Sequence, residues 1–184
     1  MAELIDRHGP VDLAPADSEF RRLIVSIVNQ QLSTASARAV RERAFELIGR
    51  PITPDAVLAA DEGALRDAGL SNSKIEYVRN CALAFQDRDL TRTALAERAD
   101  DEVIDLLTEI RGVGEWTARM YLIFALGRED ILPLGDLAVR RGIDQLYGAG
   151  DATMDRSEMR SLAEAWRPYR SVATRYVWLE YEDD

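Results

Sequence analysis

The sequence contains very little cysteine, histidine and lysine. Its 184 residues include one cysteine, Cys81, one histidine, His8, and one lysine, Lys74, so arginine supplies every other basic side chain. A single cysteine excludes an internal disulfide and any multi-cysteine zinc or iron–sulfur site. Its apolar runs are too short to span a membrane, and nothing resembles a signal peptide. We therefore expect a cytoplasmic protein with no membrane partner.

Positive charge is also scarce. Thirty-three acidic residues against 23 basic ones give a net charge of −10 and a pI of about 4.7. Domains that bind nucleic acid are usually basic. The composition therefore indicates one of two things. Either the protein never contacts nucleic acid, or it is halophilic, because acidic surfaces keep proteins soluble in a high-salt cytoplasm that screens long-range charge.

Hydrophobic periodicity predicts helices along most of the chain and strands nowhere. Phe20, Leu23, Ile24 and Ile27 form one clear helical stripe, and further stripes of the same period follow. Residues 1–16, which include two prolines, are predicted to be irregular. We predict an all-α protein of roughly ten helices in a single domain over residues 1–184.

Residues 101–126 predict two helices joined by a tight turn. The apolar spacing of the first helix ends at Ile110, Gly112 and Gly114 bracket Val113, and a second apolar helix begins at Glu115. Amides at a helix N-terminus suit a phosphate, and glycines let a nucleic-acid backbone approach closely. A helix corner with a glycine cap would have the same pattern.

Asp136 stands between Gly135 and an apolar helical segment, where an aspartate commonly caps the helix N-terminus. Hydrogen bonds from helix amides favour the charged carboxylate. Such a carboxylate can stabilise an oxocarbenium-like sugar and orient or deprotonate water during cleavage of an N-glycosidic bond. The capping role and the catalytic role are compatible, so Asp136 is the candidate catalytic residue.

Three segments in order, IRGVGEWTA (110–118), LGDLAVRRG (134–142) and WRPYRS (166–171), resemble the helix-hairpin-helix (HhH-GPD) DNA glycosylase superfamily. The similarity covers roughly residues 18–180 and is greatest to the DNA-3-methyladenine glycosylase II branch. It implies base excision repair of double-stranded DNA, in which a damaged base is flipped out and its N-glycosidic bond is hydrolysed, with Asp136 as the catalytic residue. It also implies two helical lobes with a cleft between them. One lobe spans about 20–125 and contains the hairpin 101–126; the other comprises 1–19 and 126–184.

Trp116 bears on the type of reaction that the resemblance implies. Bifunctional relatives carry a lysine at this position, whose amine attacks the sugar, and an indole cannot do so. We therefore expect a hydrolase without AP-lyase activity. The resemblance also places Trp178 against a cationic alkylated purine, and Trp116 and Tyr121 are weaker candidates for lining the base pocket. Packing between helices is the alternative role for Trp178.

The remaining predicted contacts concern the DNA backbone and a cation. The predicted DNA-binding residues are Gln30, Gln31, Arg111, Gly112, Val113 and Gly114. The resemblance makes the two glutamines a wedge that enters the duplex, with Gln31 at its tip; a solvated helix end is the alternative. It also implies a structural Na⁺ or K⁺ on the carbonyls of Thr108, Ile110 and Val113, with no cofactor required.

Several functions remain open beside the alkylpurine glycosylase. The chain could act on another damaged or mismatched base, or be a non-catalytic helix-hairpin-helix module that binds DNA structures. A third class is an acidic all-α interaction domain without a DNA role. Asp136 favours an enzyme, because a binding module has no need of a carboxylate there. We expect a monomer whose partner is double-stranded DNA containing damaged bases.

Overall fold

A computed structural model describes residues 1–32, 34–148 and 153–183, and no strand occurs within these ranges. The described residues form twelve α-helices: α1 (Ala2–His8), α2 (Glu19–Asn29), α3 (Thr34–Ile48), α4 (Pro54–Ala59), α5 (Glu62–Asp67), α6 (Asn72–Asp87), α7 (Arg92–Leu95), α8 (Asp100–Thr108), α9 (Glu115–Tyr121), α10 (Leu137–Tyr147), α11 (Arg156–Ala163) and α12 (Arg170–Asp183). A π-helical segment, Leu122–Leu126, continues α9, and a 3₁₀ turn, Glu164–Trp166, follows α11. None of the helices in these ranges has the length and apolar character needed to cross a membrane.

The chain divides into two compact units, Ala16–Leu126 and Met1–Pro15 with Gly127–Asp184. The first unit is built around α2, which packs against α3, α6 and α9. Seven residues of α2 are buried, Phe20 and the six consecutive residues 23–28, because α3, α6 and α9 pack around the helix. The Phe85 ring lies between those of Phe20 and Tyr121, at centroid distances of 5.1 and 6.4 Å.

The second unit combines the two ends of the chain. Helix α12 packs against α10 and against α1. Gly142 permits the close approach of α10, since a Cβ there would lie 2.6 Å from a methyl carbon of Val177. Small size at Gly142 and apolar burial at Ile143 and Val177 therefore allow the two helices to pack in direct contact.

Helix α1 corrects the prediction that residues 1–16 are irregular. Leu4 of α1 is buried, and both Arg7 and His8 pair with Glu180 of α12, the histidine at 3.0 Å. The Tyr176 hydroxyl donates to the carbonyl of Gly9 at 2.9 Å, just after the helix ends. A seven-residue helix is too short to be stable alone, so these contacts with α12 supply what the local sequence lacks.

Candidate functional site

Asp136 lies in a tight turn that leads into α10. Its backbone N–H donates to the carbonyl of Pro133 at 2.8 Å, which closes the turn. The guanidinium of Arg140, one helical turn later, donates to the carbonyls of Leu134, Gly135 and Asp136 at 2.8, 3.0 and 3.3 Å. We call residues 133–136 the aspartate turn. Arg140 therefore holds the turn that orients the carboxylate.

The carboxylate of Asp136 is half-buried and hydrogen-bonded to two N–H groups. Its Oδ1 accepts from the backbone N–H of Val139 at 2.9 Å, which is the N-cap bond predicted from the sequence. The same oxygen accepts from the indole Nε1 of Trp178 at 3.3 Å. Trp178 is itself only 9% exposed. Asp136 and Trp178, 42 residues apart, therefore share one site within this unit.

The segment before the aspartate turn is attached to the start of α12. Arg170 donates from Nε and Nη2 to the two carboxylate oxygens of Asp130, at 2.7 and 2.9 Å, and from Nη2 to its carbonyl at 2.8 Å. These bonds to Arg170 hold the pKa of Asp130 below its ordinary value. The buried Ser171 hydroxyl donates to the carbonyl of Arg128 and accepts from the N–H of Ile131. The WRPYRS segment thus positions the loop that carries Asp136.

The hairpin, which we define as α8, α9 and the turn between them, lies in the other unit. Gly112 has a φ of +102°, and a Cβ there would lie 2.2 Å from Cγ of Tyr77, so only glycine fits. The N–H of Val113 donates to the carbonyl of Ile110 at 2.9 Å and is therefore used within the turn. Gly114, with a φ of −93°, caps α9 beside open space. Gly114 is exposed, whereas Gly112 is only partly exposed and packs against Tyr77.

The predicted wedge residues have different environments. Gln30 is half-buried, and its Nε2 donates to the carbonyl of Gly112 at 3.2 Å and to the hydroxyl of Thr117 at 3.1 Å. Gln31 is exposed and has a φ of +56°, the one positive φ among the described residues other than glycine. The two neighbouring side chains therefore separate into one that faces the hairpin and one that faces outward.

Arginines beside the hairpin are paired with carboxylates. Arg111 contacts Glu76 at 2.9 Å, and Arg119 contacts Glu115, one helical turn before it, at 2.8 Å. All four side chains carry exposed surface, so each pair adds little stability. Each pair does reduce the positive potential that a phosphate would meet at this surface.

The two pocket candidates of this unit occupy different positions. Trp116 is half-buried in the first turn of α9. Tyr121 has no exposed surface, its hydroxyl donates to the carbonyl of Leu90 at 2.6 Å, and burial raises the pKa of the phenol. A side chain enclosed in this way cannot stack on an entering base. Tyr121 is therefore a core residue, which corrects its prediction as a pocket residue.

Sequence reasoning did not find Arg140, Asp130 or Arg170 as parts of the site. Arg140 follows Asp136 by four residues, a spacing that places both on one helix face. Arg170 lies in the third of the segments that carry the family resemblance. Asp130 offered no signal, because nothing local indicates which arginine it pairs with. Among the described residues, no group of histidine, cysteine and acidic side chains could hold a metal ion.

The family model for the HhH-GPD superfamily of base excision DNA repair proteins matches residues 24–168. The chain belongs to this superfamily. The matched residues include the hairpin and Asp136, and the predicted all-α glycosylase fold is confirmed.

Several individual relatives are named DNA-3-methyladenine glycosylases. DNA-3-methyladenine glycosylase 1 of Schizosaccharomyces pombe is 30% identical over 182 residues, which cover 97% of this chain and 79% of that protein. Its structure in complex with abasic DNA has a TM-score of 0.83 at 28% identity and covers 96% of this chain and 88% of that one. The crystal structure of a DNA-3-methyladenine glycosidase from Bacillus halodurans has a TM-score of 0.83 at 36% identity, covering 98% and 83%. A Bacillus subtilis relative is 26% identical to this chain. The match covers 99% of this chain and 66% of the relative's length.

Proposed function

We propose that the protein is a DNA glycosylase that hydrolyses the N-glycosidic bond of alkylated purines, such as 3-methyladenine, in double-stranded DNA. The observation that carries the proposal is the half-buried carboxylate of Asp136, held by the N–H groups of Val139 and Trp178. The names of the S. pombe and B. halodurans relatives support the substrate class.

In this mechanism the carboxylate of Asp136 stabilises positive charge that develops on the sugar as the bond to the base lengthens. It also orients or deprotonates the water that completes hydrolysis. The two N–H groups fix the carboxylate before the substrate binds, so little reorganisation is needed during the reaction. Arg140 contributes indirectly, because it holds the backbone of the aspartate turn.

Trp178, which bonds to Asp136, is proposed to contact the damaged base as well. Its ring lies within hydrogen-bond distance of the carboxylate that would face the sugar, so a base attached to that sugar would be close to the indole. A purine alkylated on a ring nitrogen is cationic, and an electron-rich indole attracts a cation over its face. To reach this ring the damaged nucleotide must leave the base stack.

DNA is proposed to contact the hairpin and the residues next to it. The first N–H groups of α9 have no acceptor within the helix, and Gly114 lets a phosphate approach them without obstruction by a side chain. The exposed Gln31 is the proposed wedge that fills the space left by the flipped base. Neutral amides can make these contacts, which accords with an acidic protein in which Arg111 and Arg119 are paired with carboxylates.

The same proposal excludes AP-lyase activity. Trp116 offers no amine, and Lys74 donates from Nζ to the carbonyl of Val28 at 2.7 Å within the helical unit. We expect no covalent adduct with abasic DNA in the presence of borohydride. An adduct that disappears in Lys74→Ala would contradict a purely hydrolytic reaction.

A monovalent cation, Na⁺ or K⁺, is proposed on the carbonyls of Thr108, Ile110 and Val113. Thr108 is the last residue of α8, so no N–H of the helix donates to its carbonyl. The Ile110 carbonyl accepts one bond from Val113 and retains a second lone pair. Neutral oxygen donors suit a hard cation. When bound, the ion would add positive charge beside the hairpin.

The decisive experiment is single-turnover release of 3-methyladenine by Asp136→Asn. Asparagine and aspartate are comparable N-caps, so we expect the fold to be kept and base release to fall at least about a hundredfold. Binding to damaged DNA should be unchanged or slightly tighter, because a negative charge near a polyanion is lost.

Asp155→Asn is the matched control, since Asp155 caps α11 through Ser157 and Glu158 in the same unit. It should release base at the wild-type rate. Release by Asp136→Asn above about a hundredth of the wild-type rate would remove Asp136 from the catalytic role. Duplexes that each carry a different damaged base would show whether alkylated purines are the substrates.

A further inference from the structure

Gln30 links two helix ends that are far apart in the sequence. It follows the last residue of α2, and its side-chain acceptors lie 82 and 87 residues further along the chain, in the hairpin. A carboxamide nitrogen has two hydrogens. The carbonyl of Gly112 and the hydroxyl of Thr117 therefore use its whole donor capacity.

The two acceptors fix different parts of the hairpin. The Gly112 carbonyl and the Val113 N–H belong to one peptide group, and the latter donates to Ile110. Both polar groups of that peptide are thus bonded within the unit. Thr117 is 1% exposed and lies in the first turn of α9. Gln30 therefore ties the turn peptide to the start of α9, on either side of Gly114.

The segment that carries Gln30 is itself held in place. Lys74 donates to the carbonyl of Val28 at 2.7 Å, and Arg41 donates to the side-chain carbonyl of Asn29 at 3.1 Å. Gln31 then adopts a left-handed backbone, which is unfavourable for glutamine and persists only where its surroundings hold it. We call residues 28–31 the wedge turn. Contacts from α3, α6 and the hairpin determine its shape.

We infer that Gln30 is a positioning residue that joins the wedge turn to the hairpin, so that phosphate contact at Gly114 and insertion of Gln31 occur on one rigid surface. The inference rests on the proposed function and assigns Gln30 a role other than direct DNA contact. A hairpin that binds phosphate on any duplex would then present the wedge in register with it. Loss of the link should weaken the hairpin's contact with all DNA, damaged or not.

The test compares Gln30→Met, Thr117→Val and the double variant with wild type. Binding is measured on an undamaged duplex and on a duplex with an abasic-site analogue, and each variant's unfolding free energy is measured by urea denaturation. We expect Gln30→Met to lower the affinity for both duplexes by about threefold to tenfold, which is the effect of losing hydrogen bonds. Thr117→Val should lower these affinities less. It should cause no further loss in the Gln30→Met background, because the side chain that bonds to Thr117 is already absent.

Gln31→Ala is the matched control at the adjacent exposed position, and it should lower only the affinity for the abasic duplex. A loss in Gln30→Met confined to the abasic duplex, with an additive effect of Thr117→Val, would overturn the inference in favour of direct DNA contact. Unchanged affinity of Gln30→Met for both duplexes would also overturn it.

Amide hydrogen exchange separates this inference from the proposed function. Exchange at Val113 should be about threefold to tenfold faster in Gln30→Met than in wild type, and unchanged in Gln31→Ala. Equal exchange in Gln30→Met and wild type would refute the link whatever the enzyme does. A wild-type protein that released no base from any duplex would refute the proposed function while leaving this measurement decisive for Gln30.

Discussion

The two glycines of the hairpin turn differ in a way that predicts very different effects of alanine on stability. Gly112 has a φ of +102°, and an added Cβ would lie 2.2, 2.5 and 2.6 Å from three atoms of Tyr77 at the base of its ring. Gly114 has a φ of −93°, and an added Cβ would meet no atom within 4 Å. Alanine at the two positions therefore changes the same group in two different environments.

The expected magnitudes follow from these geometries. In Gly112→Ala the left-handed backbone costs about 1–2 kcal/mol, and the overlap with Tyr77 costs about 1–3 kcal/mol more. The Cβ of Tyr77, 2.5 Å from the added methyl, is held by its backbone and cannot move away by a rotamer change. In Gly114→Ala the backbone suits alanine, and the less flexible unfolded chain contributes about 0.4–1 kcal/mol of stability. Alanine is a poorer N-cap for α9 than glycine, which removes about 0.5–1 kcal/mol, so the net change should be small.

At Gly114, alanine should weaken DNA binding although it leaves the fold intact. The new methyl would occupy the open space beside the first amides of α9, where a phosphate is proposed to bind. We expect Gly114→Ala to lose at least about tenfold in affinity for an undamaged duplex, which is the effect of losing one charge-assisted hydrogen bond. Its urea unfolding midpoint should stay close to that of wild type. Urea denaturation and fluorescence anisotropy on the same samples measure both quantities.

Two results would refute this reasoning. Wild-type affinity in Gly114→Ala would show that no phosphate approaches this glycine. A wild-type unfolding free energy in Gly112→Ala would show that the turn does not depend on a left-handed residue packed against Tyr77.

Four further predictions follow from individual contacts. Trp178→Phe keeps an aromatic ring but loses the N–H bonded to Asp136, so base release should slow about threefold to tenfold with DNA binding kept; a wild-type rate would dismiss the bond. Asp130→Asn should lower the unfolding free energy at neutral pH by about 1.5–3 kcal/mol. Because bonding to Arg170 lowers the pKa of Asp130, its contribution is present above the ordinary pKa of about 3.9 and is lost as the pH falls below it; a difference from wild type that persists at pH ~2 would contradict this linkage. DNA affinity should fall less than about tenfold between about 50 and 200 mM KCl, and base release should persist at molar KCl, because neutral amides rather than free arginines make the contacts; a steep loss with the fold intact by circular dichroism would indicate a basic footprint. Cys81 is fully buried, which raises its pKa to about 12, so a thiol reagent at neutral pH should label it only as fast as the protein unfolds; rapid labelling of the native protein would contradict its burial.

Helices and their caps could be predicted from the sequence because they depend on neighbouring residues. The apolar spacing of Phe20, Leu23, Ile24 and Ile27 matches α2, and the Asp136 N-cap appears with its bond to Val139 at 2.9 Å. The family also followed from local segments, since IRGVGEWTA and LGDLAVRRG each lie within a few helical turns. Helix α1 did not follow, because its stability depends on Glu180 and Tyr176 near the other end of the chain.

Among the pocket candidates, the resemblance made Trp178 the stronger and Tyr121 a weaker one, and nothing in the local sequence indicated how different their contacts are. Tyr121 faces Leu90 and Phe85 within the core, and Trp178 reaches Asp136. A helix repeat specifies which residues share a face. It does not specify which neighbour that face meets.

The sequence by itself therefore determined that this protein is helical, that a Gly-Val-Gly turn joins two of its helices, and that an aspartate begins another. Tertiary structure alone decided that Trp178 bonds to Asp136, that Asp130 pairs with Arg170, and that Gln30 faces the hairpin while Gln31 faces outward. The physical reason is one of range. Caps and helical stripes involve residues up to about four positions apart, whereas the bonds of Trp178 and Gln30 join side chains 42 and 82 residues apart and form only once the helices have packed.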